Sequence, residues 1–191
     1  MQTLTVLQET QQHAKMKTEL VKIGLQQFLT LSVKRNDVDQ EELEWSLLIV
    51  AQELQKSLQL KGLNWKIPPF QRMTAFTHFN STEMFSYKLL LGLPDYVSWS
   101  EYDKAIKRAL ELRRDFWVVQ IRFERIVQDW CLKYTHQGPR NQIPSFVTQM
   151  KAVTAADNLR IGNYYTEIVI SDEEKVAESA VETIILIPVE K

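Results

Sequence analysis

The sequence is short of the features that announce many functions. A single cysteine, Cys131, stands among 191 residues, so no internal disulfide can form. With it, His13, His78 and His136 lack the paired spacing of a zinc site, and no metal is expected. Five glycines, at positions 24, 62, 92, 138 and 162, are too scattered for a phosphate-cradling loop, which argues against nucleotide cofactors. No cofactor is expected. Neither sign of charge dominates: 23 Lys+Arg against 24 Asp+Glu leave a net charge of −1, which removes the usual electrostatic case for nucleic acid as a partner. No apolar run is long enough to span a bilayer, and MQTLTVLQETQQHAKMK lacks the pattern of a secretion signal. The expectations are no membrane partner and a cytoplasmic address. No short nucleophile motif stands out.

What is present is ordinary globular usage, 45% hydrophobic and 25% charged, in a chain long enough to bury one substantial core. Residues 1–17 are polar and Gln-rich and are expected to fray or to form a short helix. From Leu20 to Val33 apolar and polar positions alternate as in a half-buried strand, with a slip in parity around Gln26-Gln27. Asp39 and Glu42 have capping-box spacing, and Leu43, Leu47, Val50, Leu54 and Leu58 continue a helical stripe that Gly62 ends. Strand segments are expected on both sides of Pro68-Pro69, and MFSYKLLLGL reads as the next strand.

Ser98 and Glu101 cap a connecting helix with Tyr102, Ile106, Ala109 and Leu110 on one face. WVVQIRFERIVQ and WCLKYTHQ then read as two strands turning at Asp129. A helix follows Gly138-Pro139, with Pro144 in its first turn and Phe146, Met150 and Val153 as its buried stripe. NYYTEIVIS and ETIILIPV close the chain as strands. The order strand-helix-strand-strand thus occurs twice. The expected fold is α+β: one domain over residues 18–191, with modules at about 18–94 and 117–191 and a connecting helix at about 98–114. The sheet should be mainly antiparallel, with helices on one face and a ligand cleft at the module seam.

Two carboxylates need a reason, because Glu124 in IRFERIV and Glu167 in YYTEIVI sit within strands rich in aromatic and β-branched residues. By alternation Glu167 shares a face with Tyr165 and Val169. One reading is a paired surface glutamate; the other places both carboxylates in a cleft, ready for a cationic ligand or for acid-base work. Aromatic residues are plentiful, with five Trp, six Tyr and eight Phe. Trp45 reads as core. Trp65, Phe76, Phe79, Tyr87, Trp130, Tyr134 and Tyr165 lie on or beside strands, where each is either core or a wall on which a planar ligand stacks. His136 shares a face with Tyr134 and reads as a hydrogen-bonded structural residue.

In their order, LLLGLPDYVSWSEYDKA, RFERIVQDWCLKYTHQGPR, NYYTEIVISD and ETIILIPV resemble the signature of the stand-alone gyrase-inhibitor-like proteins. The match runs over about Met84 to Lys191. The resemblance implies paired strand-helix-strand-strand modules with ligand bound at their seam. It places Glu124 on the family's Phe-Glu glutamate, Glu167 on the glutamate of its penultimate strand, and His136 on the histidine of its Gly-Pro turn. Arg140 stands where the family has Tyr after Gly-Pro, Val169 replaces a frequent Tyr, and Tyr87 a common Trp. The family includes drug-sensing effector domains, and some relatives hydrolyse cyclopropane-bearing DNA alkylators with cleft glutamates.

The expectation is therefore a protein that senses or sequesters planar hydrophobic small molecules, cationic ones included. Its ligand-binding residues would be Glu124, Glu167, Tyr87, Trp65, Tyr134, His136 and Tyr165. Two alternatives stand beside it. One is a hydrolase of strained electrophiles with Glu124 or Glu167 as general base; the other is an inhibitor module presenting its surface to a larger enzyme.

Overall fold

Alternation over the first apolar stretch does build a strand, β1 (Glu19–Val33), and the capped stripe that follows builds helix α1 (Gln40–Gln59). The structure, a computed structural model, describes residues 18–34, 38–75, 87–113, 116–156, 159–171 and 175–190. The N-terminal segment, Phe76, Phe79 and the side chain of Val153 lie outside them. The Asp39 carboxylate accepts from the Glu41 amide at the start of α1, at 2.9 Å. Leu43, Leu47, Val50, Leu54 and Leu58 are all buried along one side. Trp45, expected in the core, is instead 51% exposed. Two residues beyond Leu43 is more than half a turn of helix, which carries Trp45 off the stripe.

The chain continues through β2 (Phe70–Ala75) and β3 (Tyr87–Leu93) to α2 (Trp99–Leu112), which opens on the reciprocal Ser98–Glu101 capping box. The segment before Pro68-Pro69, expected as a strand, has no regular structure. A short helix α3 (Phe116–Gln120) stands where WVVQ was expected to begin a strand, and buries Val118 against the helical layer. Next come β4 (Arg122–Gln137), α4 (Ile143–Ala156), β5 (Arg160–Ile161), β6 (Tyr164–Val169) and β7 (Glu182–Glu190).

The expected hairpin at Asp129 is absent: β4 runs straight through it as one strand. One residue cannot turn a chain back on itself. The length of β4 has a purpose, because Trp130, Cys131, Leu132 and Lys133 pair with β1 on one side and with β7 on the other. Those shared residues close the antiparallel sheet into a barrel of order β4-β1-β3-β2-β6-β7, with β5 added along β7. Each module has the order first-third-second strand. The two second strands, β2 and β6, meet at one seam, and the two first strands, β1 and β4, at the other.

Faces can be followed around the ring because directly paired residues share one. Cys131 pairs with Pro188, Leu186 with Thr166, Met73 with Lys88, Lys88 with Ser32 and Phe28 with Glu124. All of these lie opposite the helices. Yet Glu124 and Cys131 are an odd number of residues apart, which strict alternation would put on opposite faces. The exchange falls where the β1–β4 ladder skips Ile23 and Asp129. Gly24 beside that gap has φ 83°, a conformation that costs glycine little and other residues much. The ladder is regular at Gln26-Gln27, where a slip in parity was expected, and breaks instead at Ile23 and Gly24.

On the outer face α1, α2 and α3 cover Leu29, Leu31, Leu89 and Leu91 in one core, while α4 covers Leu132, Ile185 and Ile187 in a second. Each such leucine or isoleucine, removed from water, contributes on the order of 1.5–3 kcal/mol. Among the described residues no helix is long and apolar enough to cross a membrane.

Candidate functional site

Between the two hydrophobic cores the outer face turns polar. Arg72 on β2 and Glu167 on β6 are direct cross-strand partners at the module seam, so their side chains leave the sheet on the same side. Glu167 is 5% exposed. Its partner is not Arg72 but Arg140, whose Nε donates to Glu167 Oε2 at 2.7 Å. A charge-assisted bond of that length satisfies a carboxylate that burial would otherwise penalise. Arg72 leans the other way, its guanidinium carbon 3.7 Å from the centroid of the Tyr87 ring on β3, within cation–π range.

Arg72, Arg140 and Glu167 form the polar part of a cavity of about 350 Å³. Phe70, Leu89 and Val169 supply apolar wall, and Gln40 and Glu44 reach it from α1, where the Gln40 amide donates to the Glu44 carboxylate at 2.7 Å. The cavity size and the mixture of apolar wall with a few convergent polar groups suit one small organic molecule.

Burial lowers the pKa of Arg72, the nearby Arg140 lowers it further, and Glu167 opposes both. Burial raises Tyr87, with Arg72 and Arg140 pulling it back. Tyr165, beside Glu167 on the same face, is pushed far above the ordinary tyrosine value by burial and by the Glu167 carboxylate. Both tyrosines are therefore neutral donors at physiological pH. Among the described residues no cluster of three or more His, Cys, Asp or Glu side chains could hold a metal ion.

Arg140 reaches Glu167 because of the turn that ends β4. Gly138 adopts φ 134° and donates its amide to Val181 O at 2.9 Å. His136 Nε2 lies 3.3 Å from Pro139 O. His136 is thus buried, beside the turn. The remaining expected residues separate. Tyr87 and Tyr165 adjoin the Arg72–Glu167–Arg140 group. Trp65 is buried in the first core, with its carbonyl accepting from the Gln55 amide at 2.7 Å. Tyr134 packs against the second core and stacks on Phe146 at a ring separation of 4.0 Å.

Glu124 does not join Glu167. It lies on the opposite face, where Lys88 Nζ is 2.7 Å from its Oε2 and Thr30 donates to its Oε1 at 2.9 Å. The two carboxylates expected in one cleft are thus on two sides of the sheet. The face exchange at Gly24 and the closing of the barrel by strands distant in sequence make that separation. Arg72 was missed altogether. Its only signal was a charged residue within a strand segment, FQRMTA, as the glutamate is in YYTEIVI. Arg140 showed only as a departure from the family pattern.

No family model matches the chain, and no curated protein matches its sequence. Its fold is shared with solved structures. A hydrolase from Listeria innocua superposes with a TM-score of 0.77 at 20% identity, covering 96% of this chain and 97% of that one. An uncharacterized conserved protein from Listeria innocua gives 0.79 at 21%, over 96% and 98%. The C-terminal domain of EcmrR gives 0.61 at 13%, over 93% and 99%.

Proposed function

We propose that the chain is a small-molecule-binding protein of the gyrase-inhibitor-like class, which senses or sequesters a planar, largely apolar compound at the seam between its modules. The observation that carries this reading is the pocket itself. A buried, ion-paired glutamate and an arginine stacked on tyrosine converge at one end of a cavity whose other walls are apolar. A ring system fits against Phe70 and Leu89, and its polar end meets the arginines and Glu167. Burying charged groups beside a cavity costs stability that packing alone would avoid, and ligand recognition accounts for retaining them.

The sequence resemblance and the fold shared with the EcmrR C-terminal domain support the same assignment. A panel of planar dyes and drugs, read by thermal shift and tryptophan fluorescence, tests it. At least one compound should raise the melting temperature, and Glu167→Gln should weaken that compound about tenfold or more, because Arg140 loses the charge-assisted bond that positions it at the pocket. If no compound stabilises the protein and Glu167→Gln changes nothing, the reading is wrong.

A second reading is favoured by one fact, that the fold extends over nearly the whole of a Listeria protein described as a hydrolase. In it Glu167 activates water against a strained electrophile while the neutral Tyr165 hydroxyl orients the substrate. Glu124, on the other face, takes no part. Hydrolysis of a cyclopropane-bearing alkylator by the wild type and not by Glu167→Gln would establish turnover; product from neither leaves binding as the function.

A further inference from the structure

A buried carboxylate in a ligand pocket ordinarily argues for a cationic ligand, and that was the expectation from sequence. Here the chain supplies the cation. Arg140 holds Glu167 Oε2 through Nε and the Tyr165 hydroxyl bonds the same carboxylate, so its charge is already matched and a ligand cation gains less from it than from a bare carboxylate. The polar capacity left over is of the opposite kind. Arg140 uses Nε alone among the described residues, leaving its two terminal nitrogens. Arg72 makes no hydrogen bond among the described residues; its guanidinium has only the Tyr87 ring beneath it.

The inner end of the pocket thus presents two guanidiniums against one carboxylate, and that carboxylate is already bound to one of them. Glu44 also lines the wall, from α1, where it accepts from Gln40 and acts on Tyr87. The lowering of Arg72 by burial and then by Arg140 is the mark of like charges held close in a poorly solvated place. A ligand anion relieves it.

We propose that this pocket selects planar apolar compounds bearing a carboxylate or similar anionic head, with Arg72 and Arg140 as the receptors of that head and Glu167 as the anchor that aims Arg140. Arginine forks match a carboxylate in geometry as well as charge, while the Tyr87 ring orients the Arg72 fork from below. The inference deepens the small-molecule-binding reading and rests on it.

Three probes of one shape separate the possibilities: 2-naphthoate, 2-naphthalenemethanol and 2-naphthylmethylammonium, titrated against the full chain by NMR shift perturbation and tryptophan fluorescence. In the wild type the acid should bind about tenfold or more tighter than the alcohol, as expected for a charge-assisted pair, with the ammonium weakest. Arg72→Met should reduce the acid-to-alcohol ratio to near one. Arg140→Gln, by freeing Glu167, should move the ammonium ahead of the alcohol; if that variant does not fold, Arg72→Met decides. An acid bound no tighter than the alcohol in the wild type overturns the inference and leaves the binding reading intact. So does an acid preference that survives Arg72→Met. If none of the three binds at millimolar concentration the inference falls, while the binding reading stands or falls on the panel of dyes and drugs.

Discussion

The two module seams each carry a glutamate with a cationic partner at 2.7 Å, and they are built for different ends. At the β2–β6 seam Glu167 is 5% exposed, is held by Arg140 and faces a cavity on the helical side. Near the β1–β4 seam the Glu124 side chain is 32% exposed, is held by Lys88 and Thr30, and faces away from the helices. The distances are equal, so distance alone says nothing of worth. Solvent decides: an exposed pair is screened and gains little, while a buried one becomes costly to break. The first seam is the place where the fold carries unfavourable chemistry, and the second is where it closes.

The largest expected effect comes from removing the buried member of the first pair. Glu167→Ala leaves Arg140 and Arg72 facing one another without a counter-charge. A fully buried pair broken in this way costs about 3–5 kcal/mol, and since the Arg140 side chain is 34% exposed the cost here should be about 2–3 kcal/mol. For a domain of this size that lowers the melting temperature by roughly 5–10 °C. Differential scanning calorimetry checks it. A drop no larger than that of the matching Glu124 variant would erase the distinction between the seams.

Most of the frame of this comparison was legible in the amino acids. The leucine stripe of α1, the Ser98–Glu101 box and the alternation around Glu167 are local signals, and each element formed where its signal lay. The errors share a cause. Trp45 reads as core, but its angular position on the helix takes it off the leucine stripe. WVVQ has strand composition, yet it forms a helix that buries Val118 in the first core. The separation of Glu124 from Glu167 depends on a face exchange at Gly24 and on β4 pairing with both β1 and β7, contacts between residues far apart in the chain. No window of sequence contains them. Arg72 and Arg140 are isolated cations until β2 and β6 are placed side by side, and the charge of the pocket belongs to that pairing.

A smaller effect should follow from the turn that delivers Arg140. Gly138 has φ 134°, and a Cβ there would stand 3.3 Å from Gln142 Oε1 and 3.5 Å from His136 Nε2. Gly138→Ala therefore forces the turn to strain or to move, at a cost of about 1–2 kcal/mol. A thermal melt should show about 3–6 °C of loss. Affinity for any pocket ligand should fall as well, because Arg140 lies two residues beyond. A destabilised variant with unaltered ligand affinity would mean that the turn does not aim Arg140.

The smallest effect belongs to Glu124. Its removal leaves Lys88, whose side chain is 30% exposed and free to hydrate, and the Thr30 hydroxyl, which is buried and loses an acceptor. The first loss is that of a partly exposed ion pair, typically under about 1 kcal/mol; the second adds about as much where no water replaces the carboxylate. Glu124→Gln keeps an acceptor for Thr30 and loses only the charge, so it isolates the first. It should shift the melting temperature by less than about 3 °C and leave ligand titrations at the β2–β6 seam unchanged, since its side chain emerges on the other face of the sheet. A loss of ligand affinity in this variant equal to that in Glu167→Gln would show that the two faces are coupled through the barrel wall, and the division of labour between the seams would not hold.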